Sequence, residues 1–415
     1  MFNHHVLVIG AGNDRNGFFK TLLENRIQIT YVGATYYNNY SHLVHRAIFF
    51  DTHDPNMWQG LVSELEEIHN TNPFHAVITL SELDVESASF LAKRFDLPHL
   101  DEEAARICRN KYKMRQKLSR DDIPSPLFNK VEKQEEVYAF AERIGYPLIL
   151  KPTDNGGSVG VTRIHSRDEI DSKYEEVCRS SLNGELIAEQ YIAGEEYSVE
   201  VIVQHQSVQV IAVVDKQVHS DAGYFVEVGH TLPSLALETT QNTLRKIAIQ
   251  AVKSVGIDHG LAHVEIKQQN DGEFYVMEIG ARAAGDLIPD LINYSYGWNY
   301  YKAVVDIALG KHYEPLPDTN SRYATIQFML GRSSHYVRGF PQMDTKNPGI
   351  KDIKYNIRTG DQVKPIKANY SRLGHVMYVS DDKESLRDCD ILCQKFSPIL
   401  KQTDSSEEKE FSSES

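Results

Sequence analysis

Residues 260–286 read GLAHVEIKQQNDGEFYVMEIGARAAGD, a stretch in which two acidic residues stand within apolar runs. Two strand-like runs flank Asn270-Asp271-Gly272, a turn sequence that is typical of a β-hairpin. In such a hairpin the acids Glu265 and Glu278 lie near each other on one face, far from the turn. Apolar residues flank each acid, so burying the two like charges costs free energy unless a cation compensates for it. Two acids that face solvent on an amphipathic hairpin are the alternative, which the apolar neighbours disfavour.

The size and charge of the chain exclude several classes of protein. A chain of 415 residues is long enough for two or three domains. A net charge of −14 disfavours nucleic acids and anionic membranes as partners. The sequence has no run of 18 apolar residues and no basic segment followed by a long apolar stretch at its start. The four cysteines lack the paired spacing of a zinc site. We therefore expect a cytoplasmic protein with reduced thiols.

The first hundred residues alternate between strand-like and helical runs. The strand-like runs HHVLVIG, IQITYVGA and HAVITLSELD are separated by amphipathic stretches, which predicts a βαβ domain with a parallel sheet. The fold class is α/β, with an α+β arrangement in the C-terminal part. Gly10 and Gly12 begin a dinucleotide-binding fingerprint, but Arg15 stands where the third glycine is required. A dinucleotide oxidoreductase is therefore an alternative that rests on two glycines alone.

A glycine-rich loop lies in the segment KPTDNGGSVGV, which starts at Lys151. Glycines let a backbone approach a ligand closely, and successive N–H groups can converge on a phosphate. The Walker A pattern is absent from the sequence, so a nucleotide site here must use a flexible hairpin loop that folds over the phosphates. An ordinary mobile hairpin is the alternative. Further on, Glu189 and Glu196 are separated by an apolar run and a turn, a pattern that can hold an adenine and then a ribose.

These pieces, in this order, resemble the ATP-grasp superfamily. The resemblance covers about residues 1–400 and rests on Lys111 in RNKYKMR, the lysine and glycine-rich loop, the acid-turn-acid strand, and the hairpin that ends in EIGAR. It implies an N-terminal βαβ domain (1–110), linker helices with a small lid (111–190) and a larger antiparallel-sheet domain (191–400). The Ser- and Glu-rich composition of residues 401–415 predicts a disordered acidic tail. ATP would lie between the lid and the larger domain.

The resemblance also implies roles for individual residues. The lysines and the glycine-rich loop would bind phosphates, the segment from Glu189 to Ile192 would hold the adenine, and Glu196 would hold the ribose. The implied ATP-binding residues are Lys111, Lys151, Gly156, Gly157, Ser158, Val159, Gly160, Glu189, Gln190, Tyr191, Ile192 and Glu196. Glu265 and Glu278 would bind Mg²⁺, with Mn²⁺ as the alternative ion, and Arg282 would be the catalytic cation. Gly280 stands where the family commonly has a metal-touching asparagine, which leaves the number of metal ions open.

A second motif, GYFVEVGHTLPS, resembles the L-amino acid ligase branch of the superfamily. Its Glu227 and His230 would belong to the substrate pocket, where the ammonium of an amino acid needs an acceptor. Glu82 follows a strand at the sheet edge where open α/β sheets bind ligands, although an acid that begins a helix is equally expected there. Gly285 leaves room for a substrate. Asp286 would either hold a basic side chain or orient the catalytic arginine.

The reaction that the resemblance implies is the joining of two amino acids. ATP would phosphorylate a carboxylate, an amine would attack the acylphosphate, and ADP and phosphate would be released. The alternative is a carboxylase or formate-activating enzyme of the same fold, which the glutamate and histidine of GYFVEVGHTLPS disfavour because bicarbonate has no ammonium. A nucleotide-binding module without activity is disfavoured by the retained lysines, acids and arginine. The expected partners are small-molecule amino acids, without nucleic acid or membrane, and we consider a homodimer as the assembly.

Overall fold

The computed structural model describes residues 2–12, 14–34, 40, 42–221, 223–317, 322–342 and 346–402. Strands in this part of the chain form one parallel and several antiparallel sheets. The strands are β1 His4–Ile9, β2 Ile27–Gly33, β3 Arg46–Phe49, β4 Ala76–Ile78, β5 Phe128–Val131, β6 Leu148–Pro152, β7 Thr162–Ile164, β8 Leu186–Gln190, β9 Glu195–Gln204, β10 Ser207–Asp221, β11 Tyr224–Leu232, β12 Gly260–Gln268, β13 Phe274–Gly280, β14 Tyr323–Met329, β15 His335–Gly339, β16 Ile350–Tyr355, β17 Gly374–Ser380 and β18 Ile399–Gln402.

Helices cover the faces of these sheets. The α-helices are α1 Asn16–Glu24, α2 Trp58–Thr71, α3 Val85–Arg94, α4 Glu102–Arg109, α5 Lys111–Arg120, α6 Gln134–Ile144, α7 Ile170–Ser180, α8 Glu238–Val255, α9 Ile288–Tyr296, α10 Tyr300–Ala308 and α11 Arg387–Phe396. No helix among the described residues combines the length and the apolar composition that a membrane crossing requires.

The N-terminal sheet is parallel, as the alternating pattern predicts. Its strand order is β3-β2-β1-β4, and every pairing in it is parallel. Strand β1 is buried from His5 to Ile9, and its last four residues are apolar, because both faces of a parallel sheet are covered. The sequence prediction missed β3, a four-residue edge strand whose first and last residues are exposed. Short edge strands carry almost no periodic signal, which explains the omission.

The lid sheet has the order β5-β8-β6-β7 and is antiparallel in every pairing. Helices α6 and α7 contribute Val137, Phe140 and Val177 to its apolar core. The glycine-rich loop joins β6 to β7, which pair as neighbouring strands. The loop is therefore the tip of a hairpin whose base is fixed in the lid sheet.

An antiparallel sheet of eight strands forms the largest layer. Its order is β13-β12-β9-β10-β11-β14-β17-β16, so the hairpin of residues 260–280 forms one edge. Helix α8 covers one face through Leu244, Ala248 and Val252. The other face packs on α9 and α10, which join the same apolar cluster as β1, β2 and α1 of the N-terminal domain. The ends of the parallel strands are thereby held against the hairpin edge.

The structure defines the ends of two segments. The charged stretch before Pro124 forms two helices, α4 and α5, that meet at Asn110. The Asn110 side chain accepts the Lys113 N–H at 3.0 Å and caps α5, which places Lys111 in the first turn of that helix. The predicted tail begins at residue 401, yet β18 reaches Gln402, and residues 403–415 lie outside the described part of the chain.

Candidate functional site

The hairpin acids face each other across neighbouring strands. Glu265 of β12 and Glu278 of β13 are direct partners in the antiparallel register. Their neighbours Val264 and Ile279 are fully buried on the opposite face, whereas both acids keep part of their surface exposed. The predicted juxtaposition on one face is therefore present. It results from the strand period of two, which separates the acids from the apolar residues next to them.

Lys216 of β10 connects three carboxylates. Its Nζ lies 2.7 Å from Glu265, 3.1 Å from Glu196 and 3.6 Å from Glu227. The side chain is 1% exposed, so water screens these charges very little. Burial alone would lower the pKa of Lys216, but the carboxylates hold that pKa well above its usual value. Lys216 therefore stays protonated, and it links the predicted ribose, substrate and metal acids.

His263 is a site residue that the sequence reasoning did not select. Its ring bonds Glu200 at 2.7 Å through Nδ1 and Glu265 at 3.2 Å through Nε2. Burial lowers the pKa of His263, but the two carboxylates outweigh burial and raise the pKa to about 9. The signal was available, because His263 and Glu265 are two residues apart and therefore point to the same face of β12. The imidazolium orients the Glu265 carboxylate from behind.

Lys111 joins the glycine-rich loop to the hairpin. Its Nζ donates to Glu278 Oε1 at 2.9 Å and to the carbonyl oxygen of Asn155 at 2.6 Å. Only 6% of the side chain is exposed. A phosphate that enters between loop and hairpin would meet this ammonium directly. The position fits the predicted phosphate-binding role of Lys111.

Glu189 lies between two buried cations. Its carboxylate bonds Arg115 Nε at 2.8 Å and Lys151 Nζ at 2.7 Å. Burial would raise the pKa of Glu189, but these cations outweigh it and hold the pKa below its usual value. Burial likewise lowers the pKa of Lys151 in spite of Glu189. Arg115 was not predicted, although it follows Lys111 by one helical turn and therefore faces the same side of α5.

The predicted adenine segment lines a narrow slot under the lid. Tyr191 stacks against Phe225 of β11 with ring centroids 6.3 Å apart, and the Arg163 guanidinium lies 5.1 Å from the Tyr191 centroid. The slot has a volume of about 130 Å³. Ligand pockets are commonly about 300–1,000 Å³, so the slot is smaller than a typical ligand site. Phe225 is a further residue that the sequence did not single out.

Arg282 and Glu82 form a pair that explains the glycine at position 280. Arg282 Nε lies 2.8 Å from Glu82 Oε2, and Arg109 Nη1 lies 3.1 Å from Glu82 Oε1. A Cβ at Gly280 would lie 2.9 Å from the same Glu82 oxygen. A side chain at this position would displace Glu82, which reaches in from the loop after β4. The space beside Gly280 is therefore filled by an acid of the N-terminal domain.

Arg15 accounts for the incomplete dinucleotide fingerprint. Its guanidinium donates to the carbonyl oxygens of Ala284 at 2.7 Å, Leu80 at 3.1 Å and Ala11 at 3.3 Å. The side chain is buried at the start of α1, where the pyrophosphate of a dinucleotide would lie. Arg15 thus anchors the segment after the hairpin to the N-terminal domain.

The predicted substrate residues of β11 and the loop after the hairpin form one charged cluster. His230 Nε2 lies 3.2 Å from Glu227 and 3.4 Å from Asp286. Arg372 binds both oxygens of Asp286, at 2.7 and 2.6 Å. Burial would raise the pKa of Asp286, but Arg372 and His230 hold that pKa well below its usual value. The two alternatives for Asp286 were a basic substrate side chain and Arg282, yet its described partners are Arg372 and His230.

This cluster also has the composition of a metal site, but its charges are already compensated. Ligand atoms of Glu227, His230 and Asp286 all lie within 4.8 Å of one another. Lys216 and Arg372 neutralise the two carboxylates. We therefore assign no metal to it.

The residues predicted for the site line two adjoining spaces. A cavity of about 1320 Å³ is lined by the substrate and catalytic set Glu82, Glu227, Glu265, Glu278, Arg282, Gly285 and Asp286. The slot is lined by the nucleotide set Lys111, Lys151, Gly156, Gly157, Ser158, Val159, Glu189, Tyr191, Ile192 and Glu196. The hairpin acids and Glu227 line both spaces.

Three predicted residues lie outside these linings. Gly160 has φ +74° and packs against Pro152 and Ser180, so it shapes the loop without facing the slot. Gln190 accepts the Leu127 N–H at 3.4 Å on the far side of the lid strand. His230 is fully buried and reaches the cavity only through the carboxylates that it bonds.

The hairpin acids fit a divalent cation. The described bonds from Lys216, His263 and Lys111 all end on the Oε1 atoms of Glu265 and Glu278. One oxygen of each carboxylate is thereby left for an ion, and such hard oxygen ligands suit Mg²⁺ or Mn²⁺.

Two family models match the chain. The ATP-grasp domain matches residues 144–290, which include the glycine-rich loop and the hairpin. The L-amino acid ligase C-terminal domain 2 matches residues 342–389, which include Arg372.

Curated proteins and solved structures agree with these matches. The L-arginine-specific L-amino acid ligase of Bacillus subtilis is 24% identical over 362 residues, covering 84% of this chain and 85% of that protein. Alanine–anticapsin ligase of Bacillus subtilis (strain 168) is 27% identical over 283 residues, covering 63% of this chain and 59% of that protein. The crystal structure of an L-amino acid ligase from Bacillus licheniformis matches with a TM-score of 0.81 at 22% identity, covering 97% of this chain and 100% of that one. The chain therefore contains an ATP-grasp domain and an L-amino acid ligase C-terminal domain, and L-amino acid ligases are among the proteins that it resembles.

Proposed function

We propose that the protein joins two amino acids through an amide bond, using ATP and Mg²⁺ and releasing ADP and phosphate. One observation carries this proposal: the hairpin acids border both the nucleotide slot and the cavity that contains Glu227 and Asp286. A γ-phosphate and an amino acid carboxylate can therefore meet beside Glu265 and Glu278. The likeness to the L-amino acid ligases supports the amino acid as the substrate class.

The first step transfers a phosphoryl group. A carboxylate oxygen of the first amino acid attacks the γ-phosphorus of ATP, the bond to the β-phosphate oxygen breaks, and ADP is formed. A divalent ion on Glu265 and Glu278 would neutralise the phosphate oxygens on which charge develops. Lys111, which bonds Glu278, and Arg282, which bonds Glu82, would bind the same phosphoryl group. The Arg282 guanidinium stays charged, because Glu82 and Glu278 outweigh burial and raise its pKa.

The second step forms the amide. The amine nitrogen of the second amino acid attacks the acyl carbon, the carbon–oxygen bond to phosphate breaks, and phosphate carries away the proton that nitrogen loses. Glu227 would bind the ammonium of the first amino acid, because its carboxylate lines the cavity while Lys216 and His230 keep it ionised. Burial would raise the pKa of Glu227, and these cations hold it below its usual value. Closure of the glycine-rich loop would keep water from the acylphosphate.

The proposal is tested by product analysis. The protein is incubated with ATP, Mg²⁺ and amino acids, singly and in pairs, and ADP, AMP and phosphate are measured while dipeptides are identified by mass. We expect ADP and phosphate in equal amounts, with a dipeptide in each productive pair. AMP with pyrophosphate would contradict the acylphosphate route. Phosphate release that depends on bicarbonate or formate alone would replace the ligase proposal with the carboxylase alternative.

A further inference from the structure

We propose that Asn369 positions Glu227 for the amino acid and couples that residue to the glycine-rich loop. The inference rests on the proposed function, because Glu227 is the proposed acceptor of the substrate ammonium. Asn369 begins a short 3-10 turn, Asn369–Ser371, that lies between β16 and β17. Nothing in the sequence pattern marks this residue, which is 142 positions away from Glu227.

The Asn369 side chain holds Glu227 at two points. Its Oδ1 accepts the main-chain N–H of Glu227 at 3.0 Å, and its Nδ2 donates to Glu227 Oε1 at 3.1 Å. Asn369 is 8% exposed, so water competes little for these bonds. The other carboxylate oxygen of Glu227 faces His230 at 3.2 Å. A side-chain amide can accept a hydrogen bond from a main-chain N–H and at the same time donate one to a carboxylate. These two bonds fix the rotation of the Glu227 side chain.

The backbone of the same residue holds the glycine-rich loop. The Asn369 N–H donates to the carbonyl oxygen of Gly157 at 3.2 Å. The ring of Tyr370 approaches Gly157 closely, within 3.5 Å of the position that a Cβ would occupy. Lys367, just before the turn, bonds Glu176 of lid helix α7. The turn therefore contacts the lid at two separate places.

Arg372 fixes the turn relative to the substrate cluster. Its Nε donates to the Asn369 carbonyl oxygen at 2.8 Å, while its two terminal nitrogens bind Asp286. The guanidinium also lies 3.8 Å from the ring centroid of Phe328. Asp286, Arg372, Asn369 and Glu227 thus form one continuous chain of bonds along the cavity wall. Movement of either acid is transmitted to Asn369 and from there to Gly157.

This connection links amino acid binding to loop closure. An ammonium bound to Glu227 restrains the carboxylate and therefore stabilises the turn that holds Gly157. By thermodynamic reciprocity, closure of the loop over a nucleotide must favour binding of the amino acid to the same degree. The loop would then close fully only when both substrates of the first step are present.

The test uses Asn369→Asp and Asn369→Ala in the full chain. Asn369→Asp keeps the shape and the acceptor but removes the donor and places a like charge beside Glu227. We expect the KM for the amino acid to rise about tenfold or more, with a smaller change in kcat. Asn347→Ala is the matched control, because Asn347 also accepts a main-chain N–H, from Gly349 at 2.9 Å, but does not line the cavity.

Hydrogen exchange of residues 153–161 supplies the second readout. In the wild type, adding an amino acid to the complex with a non-hydrolysable ATP analogue should increase protection of this segment, and both Asn369 variants should lose that increment. The inference would be overturned if Asn369→Asp kept both the wild-type KM and the increase in protection that the amino acid causes. It would also be overturned if the KM rose while that increase in protection remained. Thermal unfolding identifies a misfolded alanine variant, in which case the aspartate variant decides. If the wild type forms no ADP with any amino acid, the proposed function fails and the inference fails with it.

Discussion

Glu265 and Glu278 are directly paired across the hairpin, yet each is bonded to a different lysine. Lys216 reaches Glu265 from β10 at 2.7 Å, and Lys111 reaches Glu278 from the start of α5 at 2.9 Å. Two carboxylates held this close would repel each other without such partners. The two lysines therefore compensate the charges of the paired carboxylates.

Removing one hairpin carboxylate should abolish catalysis without unfolding the chain. In Glu278→Gln the shape is kept and one hard anionic ligand is lost, so we expect kcat to fall by about 100-fold or more. Electron paramagnetic resonance of Mn²⁺ in the presence of ADP should show weaker metal binding. Glu273→Gln is the control, because Glu273 is exposed near the turn of the same hairpin. Wild-type Mn²⁺ affinity in Glu278→Gln would contradict the metal role.

Truncating Arg115 should destabilise the protein strongly. Arg115 is fully buried, and its loss leaves Glu189 with Lys151 as the remaining cation of the group. Breaking a buried ion pair in this way costs about 3–5 kcal/mol, so Arg115→Ala should lower the free energy of unfolding by that amount in urea titrations. Arg120→Ala, on an exposed turn of the same helix, should change it by less than about 0.5 kcal/mol. Equal effects of the two substitutions would argue against the buried pair.

A side chain at Gly280 should impair activity through Glu82. The Cβ of Gly280→Ala would lie 2.9 Å from Glu82 Oε2 and would push that carboxylate away from Arg282. We expect kcat/KM to fall by about tenfold or more, and we expect Gly280→Ala to add little once Glu82 is already alanine. A double-mutant cycle on kcat/KM measures this coupling. Additive effects of the two substitutions would show that Glu82 is not the group displaced.

Asp290 should make stability depend on pH. Burial raises the pKa of Asp290 to about 6, and the charge of Asp352 adds to this rise. The hydrogen bond that Tyr301 donates at 2.7 Å and the charge of Arg15 lower the pKa but do not outweigh burial. The folded state therefore holds this proton between about pH 4 and pH 6, where the unfolded state has lost it. Protonated Asp290 therefore contributes to the free energy of unfolding below pH 4, and this contribution is lost as the pH rises through 6.

The pH effect is isolated by comparison with Asp290→Asn. Relative to the wild type, this variant should gain about 2–3 kcal/mol of unfolding free energy between pH 4 and pH 7, with most of the gain below pH 6.5. Urea unfolding at a series of pH values measures the difference. A difference between the two proteins that stays constant over the whole range would show that Asp290 is ionised normally.

The hairpin shows how much of the site could be predicted from sequence. Three local signals predict that Glu265 and Glu278 lie on one face: the strand period of two, the Asn-Asp-Gly turn and the apolar neighbours of each acid. The structure confirms this placement. The glycine-rich loop between β6 and β7 follows equally from local signals. Strand β3 was missed because four residues are too few to establish a period. The roles of the individual residues in binding and catalysis remain predictions.

Sequence alone determined the elements whose signals are local: the alternating parallel domain, the loop, the hairpin and the residues that they carry. Tertiary structure decided which charges meet. Glu82 pairs with Arg282, and Lys216 contacts three acids. Asn369 lies 142 residues from its partner Glu227, and Arg372 lies 86 residues from its partner Asp286, so no spacing in the sequence predicts either contact. The physical reason is that an ion pair needs proximity in space, and proximity between distant segments is created by packing of the sheets rather than by periodicity within any one of them.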